Sequence, residues 1–266
     1  MKAGRYDHQT RAGNEGDVVK HPALVAALNE LLAEQEGVFR YADAFAGRWE
    51  HDLGKADAWR KGIEKFAARW KGGNPDIGFW REQWTADPSS PYPGSVQVAK
   101  RILAIRKSYE IRAFEIYETY AAGLRKELGK GKVVTRSATS ADWAHWKPDL
   151  LFNDPPGLKS KKNPCFPTLQ SLLQGAKDLP NVLMWLPMTT RGNKGDGLLP
   201  LSAATIDTWL QCGNSDFEIS AVRWSDSAPL CGCLLVYRFD SPTVAHRVNA
   251  AVVEVVEAMG EYWRIA

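Results

Sequence analysis

Three acids stand in sequence contexts that point to a binding edge more than to a solvated surface. The clearest is Asp154, in Leu150-Leu151-Phe152-Asn153-Asp154-Pro155-Pro156-Gly157. An apolar run of β-formers bounded by turn residues reads as a short buried strand. The prolines end it, because neither donates a backbone hydrogen bond and each pushes its predecessor out of the α region. Asp154 is therefore held extended at the carboxyl end of a strand, the edge at which open α/β sheets bind ligands. A carboxylate there can act on an exocyclic amine whose lone pair is spread into an aromatic ring. With Asp154 and the Pro155 carbonyl accepting its two N–H bonds, the lone pair localises and is aimed at a methyl donor, while Pro156 stiffens the turn. Most Asp-Pro-Pro triplets are plain strand-ending turns, so the motif alone decides nothing.

The other two acids are Asp43, at the end of the run Val38–Ala42 and ahead of Ala44-Phe45-Ala46-Gly47, and Glu115, which closes Tyr109–Phe114. In Rossmann-type sites a small-residue loop follows the first strand, and an acid further on binds ribose hydroxyls. Either acid alone is as well explained as a strand cap. The loop Gly47-Arg48-Trp49 lacks a full Gly-x-Gly pattern, which argues against cradling a pyrophosphate. A nucleoside cofactor without phosphates, S-adenosylmethionine, suits it better.

The elements that must position these acids alternate. The sequence predicts a helix opened by His21-Pro22 and carrying Leu24, Val25, Leu28, Leu31 and Leu32, then the first strand. Residues 51–92 are charged and tryptophan-rich, with Gly72-Gly73-Asn74-Pro75 between two weakly helical pieces, and read as an insertion or lid over 50–92. Trp59, Trp70, Trp80 and Trp84 are expected to pack it. Ser95 is expected to cap a helix over Val96–Ile105. Strand, helix, strand and helix follow at Tyr109–Phe114, Glu118–Leu128, Lys132–Arg136 and Ala138–Trp146. After the strand Asp149–Asn153 come a basic loop (Lys159, Lys161, Lys162), a helix Thr168–Lys177, a strand Val182–Leu186 and a helix Leu201–Gln211. A hairpin Phe217–Trp224 with Leu230–Phe239 and a helix Val244–Met259 close the chain. This alternation predicts an α/β, Rossmann-like fold with a mostly parallel seven-stranded sheet and a terminal antiparallel hairpin.

Bulk properties set bounds. At 266 residues, 44% hydrophobic and 24% charged, the chain suits one domain, 1–266, with an ordinary core. A net charge of +3 permits a nucleic-acid partner without requiring one. Cys165, Cys212, Cys231 and Cys233 show no metal spacing, and Cys231 with Cys233 reads as one face of a strand. No metal, membrane segment or targeting signal is expected, so a cytoplasmic location is the default.

Taken together the residues resemble the ribosomal RNA large-subunit adenine-N6 methyltransferase J family, whose members have a class I S-adenosylmethionine-dependent fold. The resemblance runs over nearly the whole length. It rests on Tyr6-Asp7-His8, Ala12-Gly13-Asn14-Glu15-Gly16-Asp17-Val18-Val19-Lys20-His21, Asp43-Ala44-Phe45-Ala46-Gly47, Tyr92-Pro93-Gly94-Ser95, Phe114-Glu115, Asp154-Pro155-Pro156 and Trp185-Leu186-Pro187. It implies that His21, Asp43, Phe45, Gly47, Ser95, Glu115, Ala138, Thr139 and Asp154 line the cofactor site. It further implies that Asp154 is catalytic and that Tyr6 lies toward the substrate nucleotide, with Lys20 and Trp185 beside it. Protein-free ribosomal RNA is the implied substrate, and the chain is expected to act as a monomer. There are departures: Gly157 stands where the family has a base-stacking aromatic, Phe45 replaces a histidine, and Ala138-Thr139 replaces an Asp-Gly pair. Two alternatives stay open on these grounds, a methyltransferase of another substrate and a binding module without the chemistry.

Overall fold

The computed structural model describes residues 11–265 apart from 56, 88, 106–107, 130–131, 139–140, 142, 159–166, 190–198, 201–215, 226–229 and 262. Its centre is a sheet in which β5 (Val133–Val134), β4 (Tyr109–Phe114), β1 (Phe39–Asp43), β6 (Leu150–Asn153) and β7 (Val182–Thr189) run parallel in that order. Beyond β7 lie β10 (Leu230–Arg238), β9 (Glu218–Arg223) and the short β11 (Arg264–Ile265), each antiparallel to its neighbour. Another short strand, β8 (Leu199–Pro200), pairs with β7. The expected seven strands and the terminal hairpin are therefore present, and two short edge strands too brief to leave a periodic signature are added.

The parallel strands read as apolar runs because both faces of the sheet are covered. Leu183 of β7 and Phe152 of β6 belong to a core shared with α1 (Glu15–Glu34), α4 (Ser95–Leu103) and α8 (Pro242–Met259). Leu151, Val182 and Met184 face the opposite way, toward α6 (Trp143–Trp146) and α7 (Leu169–Ala176). The helix α5 (Glu118–Leu128) adds Ala121, Leu124 and Leu128 to the first core. Thr168 caps α7 and exchanges hydrogen bonds with Ser171, a capping box that sets its start.

Residues 50–92 form β2 (Glu50–Asp52), a π turn at Arg60–Glu64, α2 (Lys65–Arg69), α3 (Pro75–Arg81) and β3 (Pro91–Pro93), with β2 and β3 paired as a small second sheet. Their tryptophans do pack inward. Phe66, Trp80, Trp84 and Tyr92 make successive ring contacts at 5.4, 5.0 and 6.1 Å, and Tyr92 then stacks on His21 at 5.6 Å. Polar ties fasten the same segment to α8: Arg247 grips Asp76 through two hydrogen bonds of 2.7 and 2.8 Å, and Trp70 donates to Glu254 at 2.6 Å.

Several expectations are corrected. The first helix starts at Glu15, six residues before His21, because Asn14 accepts from the Gly16 and Asp17 amides, and Pro22 sits within the helix. Gly94, not Ser95, is the cap of α4, and the Ser95 hydroxyl is used elsewhere. Of the weak helix expected over Ala138–Trp146, the described residues show Trp143–Trp146 as helix. Cys231 and Cys233 are buried but belong to opposite cores, since a register shift between Leu230 and Gly232 breaks the two-residue period. The expected helix over Leu201–Gln211 and the loop bearing Lys159, Lys161 and Lys162 lie outside the described residues. Among the described residues, no helix is long and apolar enough to cross a membrane.

Candidate active site

Strand register brings the acids to one edge. Asp43 is level with Ala113 on β4 and with Phe152 on β6. Glu115 and Asp154 each lie two residues past those partners, so the ends of β4, β1 and β6 carry one acid apiece. The sheet order reverses at β1: the chain builds outward through β4 and β5 on one side of it, then crosses over to β6 and β7 on the other. That is the switch point at which such sheets bind ligands. Just past β1 the chain is drawn between its neighbours: the Ala44 amide donates to the Phe152 carbonyl at 2.9 Å and the Ala46 amide to the Phe114 carbonyl at 3.0 Å.

Asp154 is the most open of the three, with its side chain 19% exposed. Its Oδ2 accepts from the Lys20 ammonium at 2.6 Å, and Lys20 also pairs with Asp17 Oδ1 at 2.8 Å. Lys20 and Asp17 are both buried. Burial alone would lower the lysine, but Asp154 and Asp17 outweigh it and hold the ammonium well above its ordinary value. Lys20 is thus committed to two carboxylates, with its Nζ 5.2 Å from the centre of the Trp185 ring. Removing one member of such a buried set leaves an uncompensated charge, a loss of about 3–5 kcal/mol. Asp17 in turn accepts from the Gly13 amide at 2.6 Å. Pro155 is buried and Pro156 half-buried behind the carboxylate.

Asp43 is fully buried, and its oxygens are taken by internal donors: the Ser95 hydroxyl at 2.6 Å, the Tyr41 hydroxyl at 3.1 Å and the Phe45 amide at 3.2 Å. Burial raises its carboxyl to about 7, opposed by the Ser95 hydrogen bond and assisted by the charge of Asp154. Asp43 and Ser95 therefore shape the loop from inside. Their neighbour Gly94 permits the approach of that loop, since a Cβ there would fall 2.1 Å from the Arg48 carbonyl. Glu115 is buried, with Oε1 accepting from the Tyr117 amide at 2.7 Å. His21 is buried, and its Nδ1 shares a 2.7 Å hydrogen bond with the Tyr92 hydroxyl.

Phe45 and Ala138 meet at a shallow pocket on the α6–α7 side of the sheet, with Trp143, Asn153 and Leu172. Gly47 holds a left-handed turn at φ +62°. Trp185 is buried, its ring packed so closely on Gly16 that a Cβ there would lie 2.7 Å from Cζ2. Gly157, the position without the stacking aromatic, has φ +151°, a backbone state that side chains rarely adopt. Tyr6 and Thr139 lie outside the described residues. The structure thus joins Lys20 to Asp154 and Trp185, and Ser95 to Asp43, at neighbouring strand ends that also carry Glu115, while His21 meets Tyr92 and Phe45 and Ala138 line the pocket that Asn153 reaches.

Sequence reasoning did not assign Asp17 or Tyr41 to the site. For Asp17 a signal existed: Asn14 as N-cap would have placed Asp17 and Lys20 one helical turn apart on the same face. For Tyr41 the alternation of β1 gave only a core position.

No family model and no curated protein matches the sequence. In structure, protein LPL1258 from Legionella pneumophila, described under the family-model DUF519, superposes with a TM-score of 0.70 over 93% of this chain and 94% of that one, at 19% identity. At that identity the likeness shows the fold, and the chain shares the Rossmann-like α/β fold of that protein.

Proposed function

We propose that the chain transfers a methyl group from S-adenosylmethionine to an amino nitrogen, with adenine N6 of protein-free ribosomal RNA as the substrate. The observation that carries this reading is Asp154 itself: a partly open carboxylate at the switch-point edge, backed by two prolines and held by Lys20 through one oxygen. With Oδ2 occupied, Oδ1 is left to accept an N–H bond from a substrate amine, and the Pro155 carbonyl can take the second. The two acceptors would turn the amine lone pair away from its ring, a positioning contribution that needs no proton transfer before methylation.

The residues present fit the cofactor. Glu115 ends β4, where ribose hydroxyls are bound in sheets of this kind, and Phe45, Ala138, Trp143 and Asn153 line a small recess of mixed polarity. When bound, S-adenosylmethionine supplies a methyl group activated by its sulfonium. The chain's own part is to hold the carboxylate at Asp154, keep Lys20 from drifting toward solvent, and shape the loop through Asp43 and Ser95. An enzyme acting on a base needs an unpaired or flipped nucleotide. The Gly157 backbone favours a second reading, in which the same chemistry acts on an amine that needs no stacking aromatic at that position.

Both readings meet in one assay. Transfer of labelled methyl from S-adenosylmethionine to protein-free ribosomal RNA should be measurable, and Asp154→Asn should lower its single-turnover rate about 10²–10³-fold while leaving cofactor affinity intact. The amide keeps the size, loses the charge and can present N–H to the amine. A fall smaller than about threefold would leave Asp154 a strand-ending residue. Transfer to another amine with none to RNA would select the second reading.

A further inference from the structure

The π turn at Arg60–Glu64 lies far in sequence from Asp154, yet one chain of contacts connects them. The Ile63 amide donates to the Gly13 carbonyl at 2.9 Å. Gly62 sits so close to the next peptide that a Cβ on it would fall 2.1 Å from the Gly13 oxygen and 2.4 Å from the Asn14 carbonyl carbon. Gly13 has φ +74°, and a Cβ there would meet Ile63 Cδ1 and Trp59 Cβ at 3.0 Å. Two glycines thus face each other: a methyl group on Gly62 would overlap backbone, and one on Gly13 would crowd Ile63 and Trp59. From this contact the links are short: Gly13 N–H to Asp17 at 2.6 Å, Asp17 to Lys20 at 2.8 Å, Lys20 to Asp154 at 2.6 Å. Asn14, on the same turn, caps α1 and so fixes the phase in which Lys20 leaves the helix.

A π turn gives up regular i→i+4 bonding, and such turns recur at functional sites. Here it presents the Gly62 Cα and the Ile63 amide to one turn of the N-terminal segment. We infer that the π turn, through Gly62, is a positioning device that sets the Asp154 carboxylate by way of the Gly13–Asn14 turn, Asp17 and Lys20. This rests on the proposed transferase reading for its effect on rate, but not for its effect on geometry. Its consequence is selective. The loop held by Asp43, Ser95 and Gly94 belongs to other elements, so a disturbance at Gly62 should reach the transfer step before cofactor binding.

Gly62→Ala tests this. Atoms do not approach to 2.1 Å, so the Gly13–Asn14 turn must move by about 1 Å, and a misplacement of that size can slow a reaction about 100-fold. The variant should keep S-adenosylmethionine affinity within about threefold while its single-turnover rate on protein-free ribosomal RNA falls at least tenfold, a split in favour of the positioned step. Independently of any substrate, the Lys20 ammonium and Asp154 carboxyl resonances should shift by nuclear magnetic resonance. Ile77→Val, a packing change elsewhere in the same segment, should move neither readout. If Gly62→Ala does not fold, Ile63→Val probes the same contact more mildly and should shift the same resonances. Unmoved Lys20 and Asp154 signals in a folded variant overturn the inference, as do equal losses in affinity and rate. Absence of transfer by the wild-type chain overturns the transferase reading instead, and the resonances still decide the positioning.

Discussion

Asp43→Asn should flatten the pH dependence of stability, because Asp43 is a fully buried acid raised from 3.8 to about 7. The cause is burial first, then the charge of Asp154, with the Ser95, Phe45 and Tyr41 donors pulling the other way. Its folded value exceeds its unfolded one, so folding takes up a proton in the interval between them. The stabilisation it lends is complete below about 3.8 and is lost as pH rises through about 7. A shift of this size corresponds to about 4 kcal/mol in full, and to about 2.7 kcal/mol between about pH 5 and 8.5. The asparagine variant has no such proton. Its amide nitrogen faces the Phe45 N–H, a loss of about 1 kcal/mol, but that offset is the same at every pH. Urea unfolding of both proteins at half-unit steps over this range gives two stability curves. Their difference isolates Asp43, because every other titrating group is common to both. Wild type should fall relative to the variant by on the order of 2–3 kcal/mol, with the steepest change at mildly acidic pH. Curves parallel to within about 0.5 kcal/mol would mean that Asp43 stays ionised in the fold, and that three donors suffice to hold a buried charge.

Four further outcomes are expected. Glu115→Ala should weaken S-adenosylmethionine binding by about 1–3 kcal/mol in calorimetry, and unchanged affinity would remove Glu115 from the cofactor site. Gly157→Tyr should lower stability by about 1–3 kcal/mol, since φ +151° suits glycine, and a variant with wild-type stability would show that this turn relaxes easily. A chain starting at Pro22 would lose Asn14 and the buried first turns of α1, so it should fail to fold stably. A chain starting at Arg11 keeps both. It should melt within a few degrees of the full chain while its transfer rate falls at least tenfold, and transfer at the full rate would make residues 1–10 dispensable.

How much was legible in the sequence follows from the range over which each property is set. The strand ending at Asn153, the turn it runs into, and the strand Tyr109–Phe114 came from local chemistry: β-formers, prolines without a donor, a two-residue period. Alternation of helix and strand likewise implied the parallel sheet, and with it the edge on which Asp43, Glu115 and Asp154 fall. Register was not legible. The level pairing of Asp43 with Ala113 and Phe152 depends on contacts between segments about 70 and 110 residues apart, and only folded neighbours fix it. The same holds for the destinations of polar groups. Ser95 carries the composition of a helix cap, but the buried Asp43 carboxylate claims its hydroxyl, because an unpaired charge in the core costs more than a weaker cap. Lys20 could have been a surface lysine by sequence. What decides otherwise is α1 starting at Glu15 and the close approach of Gly62 to Gly13, which direct Lys20 onto Asp154. The sequence by itself determined which residues are able to take part. The tertiary structure decided which of them meet, because hydrogen bonds and ion pairs depend on distances of a few tenths of an ångström that no local pattern encodes.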